Sequence, residues 1–519
     1  MNTETDQKLK HLIFAPLECS IILPSHLFAV LENVERFAKK GDNITLIYCD
    51  GKNINHCWVN TTGKKCLCRQ CLYNQKLYFK TLSKNVKIIP VSEFFNRKYD
   101  YYSKINFEYN SVADIKKLEY NEVKIGYAAF STYITETRNL YPLIDTEFKK
   151  YFDTLLKTAL INTDIVNTAL DKFCPDIVGS FNSRTTISRP IYDTCQIRKF
   201  NINVFEVSGD NITEFRINNF YNNTPHGVEH GTERIISFWN SDFAPTEKKV
   251  AVAERFFNNR RNAIAAGDKI YVKEQVKGLL PDNWDNKKHN IVIFNSSEDE
   301  FASLGSEFEH NFFPSQYQGI KFLFEKYKDE ENFHFYLRVH PNLKNVNYAY
   351  HKNLYELGKI SDNVTVISAN SPVSTYSLID SAEKIVVFGS TTGAEAVYWG
   401  KPVILLSRCW YSLLDICYYP NTFEELDELI KKQNLEPKEK SGALKYAYYL
   451  INTEREPFIH YKYEIKNLKV SGQTYKLYKW ITPKHWYLKN ISMFLRIIGG
   501  AYKKIKCPVP IKEDKGIFL

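Results

Sequence analysis

The sequence predicts an α/β protein with two Rossmann-like domains that face a cleft, followed by a basic helical tail. Short apolar segments typical of buried parallel strands alternate with amphipathic helical segments, as expected for βαβ units. The chain has 519 residues, too many for one ordinary core. A predicted surface helix over 246–266 separates two regions in which strands and helices alternate. We therefore expect a first domain over 1–245, a connection over 246–289, a second domain over 290–440 and a tail over 441–519.

Each predicted element of the first domain comes from a local pattern. The apolar periodicity over 27–39 predicts a helix, and a longer helical pattern over 148–173 is stopped by Cys174-Pro175. Short apolar runs predict strands over 11–15, 43–49, 86–90, 176–179 and 204–207.

The second domain shows the same alternation with clearer strand boundaries. Helical patterns over 316–327 and 348–357 separate apolar runs, and a further helix is expected from Ser374. Strands are predicted over 290–294, 333–338, 364–367, 384–388 and 403–406. In doubly wound sheets ligands bind at the carboxyl ends of the strands, so the residues that follow these runs are the first place to look for function.

Composition indicates a globular protein of a reducing compartment. The sequence is 44% hydrophobic and 25% charged, and its formal charge is +10. Eleven cysteines, an N-terminus without a signal-peptide pattern and the lack of a long apolar run favour a cytoplasmic protein over a disulfide-linked or membrane-spanning one. The region from His460 onwards carries 13 Lys and Arg against three acids, so the basic charge is concentrated in the tail.

Two motifs at predicted strand ends indicate a phosphate site. Arg338, His340 and Pro341 follow one strand, and Gly389-Ser390-Thr391-Thr392-Gly393 follows another and opens a short helix that contains Glu395. Small hydroxyl residues at a helix N-terminus suit a phosphate, and His340 could add a donor. A strand-end turn and a simple helix cap are the alternative interpretations.

The spacing of these motifs resembles the C-terminal half of capsule-polysaccharide biosynthesis glycosyltransferases, with the Kdo transferases as the nearest group. The resemblance covers roughly residues 290–430, and the motifs that carry it end with Gly-Lys-Pro-Val at 400–403. It implies the two-domain GT-B architecture and a CMP-activated donor. It also implies that His340 and Pro341 contact the nucleotide, that residues 390–392 hold the phosphate with Gly393 beside them, and that Glu395 faces the ribose.

Further residues are expected around the donor. Ser374 and Thr375 belong to the pattern of the resemblance, at the start of a predicted helix. Ser296, Ser297 and Glu298 follow the first strand of the second domain and are expected at the cleft, although a helix cap with an acidic first turn would explain them equally well.

The first domain is expected to bind the acceptor and to supply acid or base groups. Asn182 and Arg184 follow one predicted strand, and Glu206 ends another. Here the chain has Glu-Val-Ser-Gly, whereas the Kdo-transferase pattern has an acidic pair followed by glycine. His226 and His230, in Pro-His-Gly-Val-Glu-His-Gly, are the second candidates, because glycosyl transfer needs a carboxylate or imidazole near the acceptor hydroxyl. An exposed loop is the alternative interpretation of the two histidines.

Four cysteines in the loop 57–71 could hold a structural zinc ion. Cys57, Cys66, Cys68 and Cys71 provide four thiols, with basic neighbours that favour thiolates. The alternative is reduced cysteines that only pack. The transfer itself is expected to need no cofactor.

The tail suggests a membrane contact. Apolar and aromatic residues recur at helical spacing over 486–502, with basic residues on the flanks, as in interfacial helices on anionic lipid. The alternative is a final helix packed on the first domain. Recognition of nucleic acid is not expected, since no reading motif accompanies the basic residues.

Together these features predict a cytoplasmic glycosyltransferase, peripheral on the inner membrane, that moves a sugar from a nucleotide-activated donor such as CMP-Kdo. The acceptor would be a lipid-linked or growing glycan of a capsule or lipopolysaccharide. A CDP-polyol phosphotransferase of the same architecture and a non-catalytic assembly scaffold are the alternatives.

Overall fold

A computed structural model of the protein describes most of the chain. The described residues are 8–15, 24–52, 56–57, 68, 71–72, 75–76, 78–95, 99–208, 216–264, 270–305, 308, 313–452, 456–464, 467–470 and 473–476. They divide into two compact units. The first contains the described residues up to Pro225 together with those from 456 onwards, and the second contains those from His226 to Asn452.

The first unit contains a seven-stranded sheet with a parallel centre. Its strands, in sheet order β12-β6-β5-β4-β1-β2-β3, are β1 (Lys10–Phe14), β2 (Asn43–Tyr48), β3 (Val86–Pro90), β4 (Ile177–Phe181), β5 (Asn201–Ser208), β6 (Arg216–Tyr221) and β12 (Glu456–Pro457). Strands β1 to β5 pair in parallel, and β6 and β12 extend the edge antiparallel. The order 3-2-1-4-5 of the parallel strands is that of a Rossmann half, as the sequence predicts.

Helices cover the strands of this sheet. They are α1 (Pro24–Lys40), α2 (Tyr99–Ser103), α3 (Val112–Lys116), α4 (Ile125–Thr137), α5 (Thr146–Phe173) and α6 (Ser188–Ile197). The long helix α5 begins where the Asp145 side chain accepts a hydrogen bond from the Phe148 N–H (2.9 Å), and it ends at Cys174 in the left-handed conformation. One apolar core lies around α5 and another around α1, where the ring of Tyr461 stacks on Phe28.

The second unit repeats the same strand order. Its five parallel strands, in the order β11-β10-β7-β8-β9, are β7 (His289–Phe294), β8 (Phe333–Arg338), β9 (Val364–Ile367), β10 (Lys384–Val387) and β11 (Val403–Leu405). Its helices are α7 (Val228–Ser241), α8 (Thr246–Arg261), α9 (Gln316–Lys326), α10 (Ala349–Glu356), α11 (Thr375–Ser381), α12 (Thr392–Tyr398), α13 (Phe423–Lys431) and α14 (Ser441–Asn452). From β7 the chain adds β8 and β9 on one side of the sheet and then β10 and β11 on the other. The point between β7 and β10, where this order reverses, is the switch point at which ligands of such sheets bind.

Some boundaries differ from the sequence prediction. The first unit ends at Pro225 rather than at 245, and α8, expected in a connection, packs on α14 inside the second unit. The prediction of a helical tail is wrong for the described residues 456–464, 467–470 and 473–476. They form β12 and a three-stranded antiparallel sheet of β13 (Tyr461–Glu464), β14 (Asn467–Val470) and β15 (Gln473–Lys476). In β13 (Tyr-Lys-Tyr-Glu) and β14 (Asn-Leu-Lys-Val) apolar or aromatic residues alternate with polar ones, with the period of two that favours a strand.

The predicted tail helix over 486–502 lies outside the described residues. No helix in the described part of the chain combines the length and the apolar character that a membrane crossing requires.

Candidate functional site

A pocket of about 250 Å³ opens at the switch point of the second sheet. The segments that follow β7 (Asn295–Ser297), β8 (His340) and β10 (Gly389–Thr392) form its floor, and residues 270–272 lie along one side. Because parallel strands end at the same edge of a sheet, the two motifs found in the sequence meet in this one pocket.

Arg338 places a buried positive charge at the pocket. Its side chain lines the pocket but is only 2% exposed, and burial lowers its pKa to about 10. One terminal nitrogen donates to the Ser368 carbonyl and the other to the Ser371 carbonyl (3.2 Å), while Nε has no partner. Among the described residues no carboxylate pairs with this guanidinium. A buried charge without a counter-charge is costly, so the site is suited to an anionic ligand.

His340 is held in one orientation beside this charge. Its backbone N–H donates to Oδ1 of Asn295 (2.8 Å), and this hydrogen bond links the ends of β7 and β8. Its ring Nδ1 accepts a hydrogen bond from the Asn342 N–H (3.2 Å), so in the neutral ring the proton is assigned to Nε2. The Tyr271 and His340 rings pack in a T-shaped arrangement with their centroids 5.0 Å apart. The imidazole at the pocket can therefore serve as a neutral hydrogen-bond donor.

The loop after β10 brings three hydroxyl side chains, those of residues 390–392, to the pocket. Gly389 adopts a left-handed φ of 78°, which turns the chain sharply away from the strand. The Ser390 hydroxyl donates to Oγ1 of Thr392 (3.1 Å), and the Tyr411 hydroxyl donates to the Ser390 carbonyl. A Cβ on Gly393 would lie 2.5 Å from the Tyr411 hydroxyl, so a side chain at this position would disturb the support of the loop.

Glu395 is buried at the pocket wall in a network of its own. It is 5% exposed, and its Oε1 accepts from Nε of Arg260 on α8 (3.0 Å). Its Oε2 accepts from the Tyr376 hydroxyl. The carboxylate neutralises Arg260, which leaves Arg338 as the uncompensated cation among the described residues of the pocket interior.

The serines after β7 are supported by a residue that the sequence reasoning missed. Gln316 at the start of α9 accepts from the Ser296 N–H (3.0 Å) and donates to the Ser296 hydroxyl (2.6 Å). Ser297 accepts from the Asn342 amide (3.0 Å), and both serines line the pocket. Glu298 does not line it; its carboxylate accepts from the Gln316 N–H (3.3 Å).

Of the two residues expected at the start of α11, only one reaches the pocket. The Ser374 hydroxyl accepts from the Ser377 N–H (3.1 Å) and is the helix N-cap, so the expectation of direct donor contact does not fit this side chain. Thr375 lines the pocket, and its N–H donates to Gln275 (2.7 Å).

In the first unit the predicted polar residues converge at the ends of β4 and β5. The Asn182 amide donates to Oε2 of Glu206 (2.6 Å), and the Val207 N–H donates to Oε1 (3.0 Å). Burial raises the pKa of Glu206, although these two donors and the Arg184 guanidinium act in the opposite direction. Burial and Arg184 lower the pKa of His26 on α1 to about 4, and its ring stacks on Phe181 at 4.4 Å.

His226 and His230 lie elsewhere, at the start of α7 in the second unit. Neither lines the pocket described above. Burial lowers the pKa of His230, and Glu229 between them accepts from Arg408. A catalytic role for the two histidines stays a prediction.

The zinc site also stays a prediction. Cys66 lies outside the described residues, and burial raises the pKa of Cys49, which lies near Cys57 and Cys71. Within the described part of the chain no group of three or more His, Cys, Asp or Glu side chains could hold a metal ion.

One family model matches a segment of the second unit. Residues 283–436 match the family model described as "Capsule polysaccharide biosynthesis protein", which confirms the resemblance predicted for 290–430. Comparison with curated proteins gives no significant match.

Three solved structures give weak overall similarity. The beta Kdo 2,4 transferase of Thermosulfurimonas dismutans KpsC has 14% identity and a TM-score of 0.35 over 53% of this chain and 79% of that one. The beta Kdo 2,7 transferase of the same protein has 15% identity and a TM-score of 0.32 over 60% and 86%. The UDP-GlcNAc 2-epimerase of Neisseria meningitidis has 14% identity and a TM-score of 0.18 over 86% and 92%. These TM-scores are too low to support a fold assignment, so the assignment of two Rossmann-like sheets is based on the strand orders given above.

Several residues of the pocket carry no signal that sequence reasoning could use. Arg260 and Tyr271 are distant in sequence from the motifs and reach the pocket only through tertiary packing, and Gln316 acts on it only through its bonds to Ser296. Asn295 could have been found, since it directly precedes the two serines at the end of β7.

Proposed function

We propose that this chain is a glycosyltransferase of surface-polysaccharide synthesis, such as capsule or lipopolysaccharide, and that its second unit binds the nucleotide-activated donor. The observation that carries the proposal is the buried Arg338 guanidinium without a carboxylate partner, in a pocket at the switch point of a Rossmann sheet. The match of residues 283–436 to a capsule-biosynthesis family supports the same assignment.

The nucleotide we favour is CMP. Arg260 is paired with Glu395, and the exposed Glu300 belongs to the pocket lining, so Arg338 is the cation left for a phosphate in the interior. Charge alone does not select the donor, because the Kdo carboxylate adds to the single phosphate charge of CMP and gives the same total as the two phosphates of a nucleoside diphosphate sugar. The resemblance to Kdo transferases favours a CMP-linked donor such as CMP-Kdo.

The proposed chemistry uses the loop after β10 to stabilise the leaving group. As the bond from the sugar to the phosphate breaks, negative charge grows on the phosphate oxygens. Arg338 and the hydroxyls of Thr391 and Thr392 would donate to that charge, with Thr392 supported by the hydrogen bond from the Ser390 hydroxyl, and fixed donors at a developing anion are effective catalysts. His340 would donate from Nε2 to the nucleotide.

For the acceptor we propose the first unit, with Glu206 as the general base. A buried carboxylate whose pKa is raised is a better proton acceptor near neutral pH than an ordinary glutamate. The acceptor would be a glycan or glycolipid, used by a cytoplasmic enzyme at the inner face of the membrane. Contact of the basic tail with anionic lipid belongs to the same proposal.

The test is a thermal-shift screen of the full chain against CMP, CDP, UDP and their sugar conjugates. A ligand at a hundred times its Kd adds about 2.7 kcal/mol of stability. For a unit of this size that corresponds to a rise in Tm of about 5–10 °C. We expect the largest rise with CMP compounds. A response to CDP-glycerol with phosphodiester in the product would favour a phosphotransferase, and no response to any nucleotide would favour a scaffold.

Two variants connect the screen to the pocket. His340→Ala should abolish transfer and most of the CMP response while the protein remains folded. His334→Ala is the matched control, since this histidine lies on β8, the strand that His340 follows, but bonds Thr365 (2.8 Å) outside the pocket. A fully active His340→Ala enzyme would contradict the proposal.

A further inference from the structure

A second pocket, of about 560 Å³, lies in the first unit between the packed helices α5 and α6. Two helices that pack together usually bury apolar side chains at their contact. Here the face of α5 that lines the pocket is polar throughout. Its residues recur at the helical spacing of three, four and seven positions and are Asp164, Asn167, Thr168 and Asp171.

On the opposite wall, α6 presents a buried hydroxyl without a hydrogen bond. Thr194 is 2% exposed, lines the pocket, and its Oγ1 has no partner. By contrast, the Thr168 hydroxyl donates to the carbonyl of Asp164 (2.9 Å), as helical threonines commonly do. An unpaired buried hydroxyl costs free energy, and a ligand that bonds to it would remove this cost.

The charges of the pocket exclude an anionic ligand. Arg198 is neutralised by Asp171, to which its Nη2 donates at 2.6 Å, and it also bonds Oδ1 of Asn167 (3.2 Å). Asp164 accepts from the hydroxyls of Tyr102 (2.8 Å) and Tyr120 (3.1 Å), and Glu122 adds a further carboxylate at the rim. Within the described residues these acids do not form a metal-binding cluster.

The rim of the pocket is a tight turn in a fixed position. Asn121 and Glu122 both have positive φ, 49° and 64°, and the flanking Tyr120 and Val123 exchange two backbone hydrogen bonds of 3.0 Å. This is the geometry of a type I′ hairpin. The Lys124 N–H then donates to Asp193 on α6 (3.0 Å), which fastens the turn beside the pocket.

We propose that this pocket binds a neutral saccharide unit. Sugar hydroxyls both donate and accept, so they can supply the partner that the Thr194 hydroxyl lacks and also bond the carboxylates of Asp164 and Glu122 within a small volume. The volume lies in the range of small-molecule sites, and the side chains of Tyr102 and Phe94 form its apolar part. The net negative charge disfavours acidic sugars. The proposal is independent of the donor pocket, which is formed by the second unit.

The test is titration calorimetry of the full chain with neutral oligosaccharides of glucose, galactose and N-acetylglucosamine, with Kdo as the acidic comparison and spermidine as the cationic one. We expect binding of a neutral oligosaccharide and none of Kdo. Thr194→Val should weaken that binding about tenfold, the loss expected for one hydrogen bond. Its Tm should not fall, because the substitution removes an unpaired hydroxyl.

Two further variants keep the test decisive. Thr163→Val makes the same change at a buried position of α5 where the hydroxyl donates to the Ala159 carbonyl (3.0 Å), and its saccharide binding should be unchanged. Glu122→Gln alters an exposed residue and should weaken binding several-fold without affecting folding. The proposal is overturned if no neutral saccharide binds, if Thr194→Val and Glu122→Gln bind like wild type, or if only spermidine binds. CMP binding should be the same in all these variants, so failure here leaves the donor assignment standing.

Discussion

Replacing Glu395 by Gln should destabilise the second unit strongly, because the substitution leaves Arg260 buried without its counter-charge. The two groups lie 3.0 Å apart, and their side chains are 10% and 6% exposed. Gln has a single acceptor oxygen, so either Arg260 or the Tyr376 hydroxyl loses its partner as well. Breaking one side of a buried ion pair costs about 3–5 kcal/mol.

The expected loss is large enough to measure by thermal unfolding. In a unit of this size each kcal/mol corresponds to about 2–4 °C in Tm, so Glu395→Gln should lower the Tm of the second unit by about 6–20 °C. Circular dichroism in the near ultraviolet would follow the transition. Glu356→Gln is the matched control, since its ion pair with Lys359 is largely exposed and contributes little.

A double variant separates charge from packing. Arg260→Met together with Glu395→Gln removes the uncompensated charge, and part of the lost stability should return. If Glu395→Gln melts within the range of the Glu356→Gln control, the assignment of Arg260 and Glu395 as a buried pair is wrong.

Three more predictions concern the two sites. Gly393→Ala should cost about 1–3 kcal/mol, because the new Cβ would meet the Tyr411 hydroxyl at 2.5 Å, and thermal unfolding would show a fall in Tm. The pKa of His26 is lowered to about 4 in the folded protein, so as the pH falls the unfolded chain binds this proton before the folded chain does. The first unit should therefore lose stability as the pH falls from about 6.5 to 4, a loss absent in His26→Gln when melting is measured against pH. The pKa of Glu206 is raised, so wild type should lose stability relative to Glu206→Gln as the pH rises above the ordinary value of 4.5; an equal pH dependence of the two proteins would contradict a buried carboxyl.

Much of the second unit could be predicted from local sequence, because its parallel strands are short, apolar and followed at once by polar residues. His340 and residues 390–392 follow β8 and β10, and the topology of a parallel sheet brings such ends together. Position along a strand therefore predicts the pocket without any knowledge of side-chain contacts.

The remainder depends on packing that the sequence does not display. Nothing near Arg260 indicates that α8 returns to the sheet and pairs with Glu395, and the polar face of α5 could equally have been a solvated surface. Ser374 shows the reverse case. It fits the motif of the resemblance and was expected at the donor, but its side chain caps α11 and does not line the pocket. In β13 and β14 the local alternation favours strands whereas the basic composition of the region favours a surface helix, and the structure follows the local alternation.

The central claim is that Arg338 supplies the charge that binds the donor phosphate, and titration calorimetry with CMP tests it most directly. Wild type should bind CMP more tightly than UDP, and Arg338→Met should weaken CMP binding by about 10–100-fold, the loss expected for one charge-assisted hydrogen bond of about 1.5–3 kcal/mol. Arg338→Lys keeps the charge and should retain part of the affinity. Equal CMP affinity in wild type and Arg338→Met, or no CMP binding by wild type, would contradict the account.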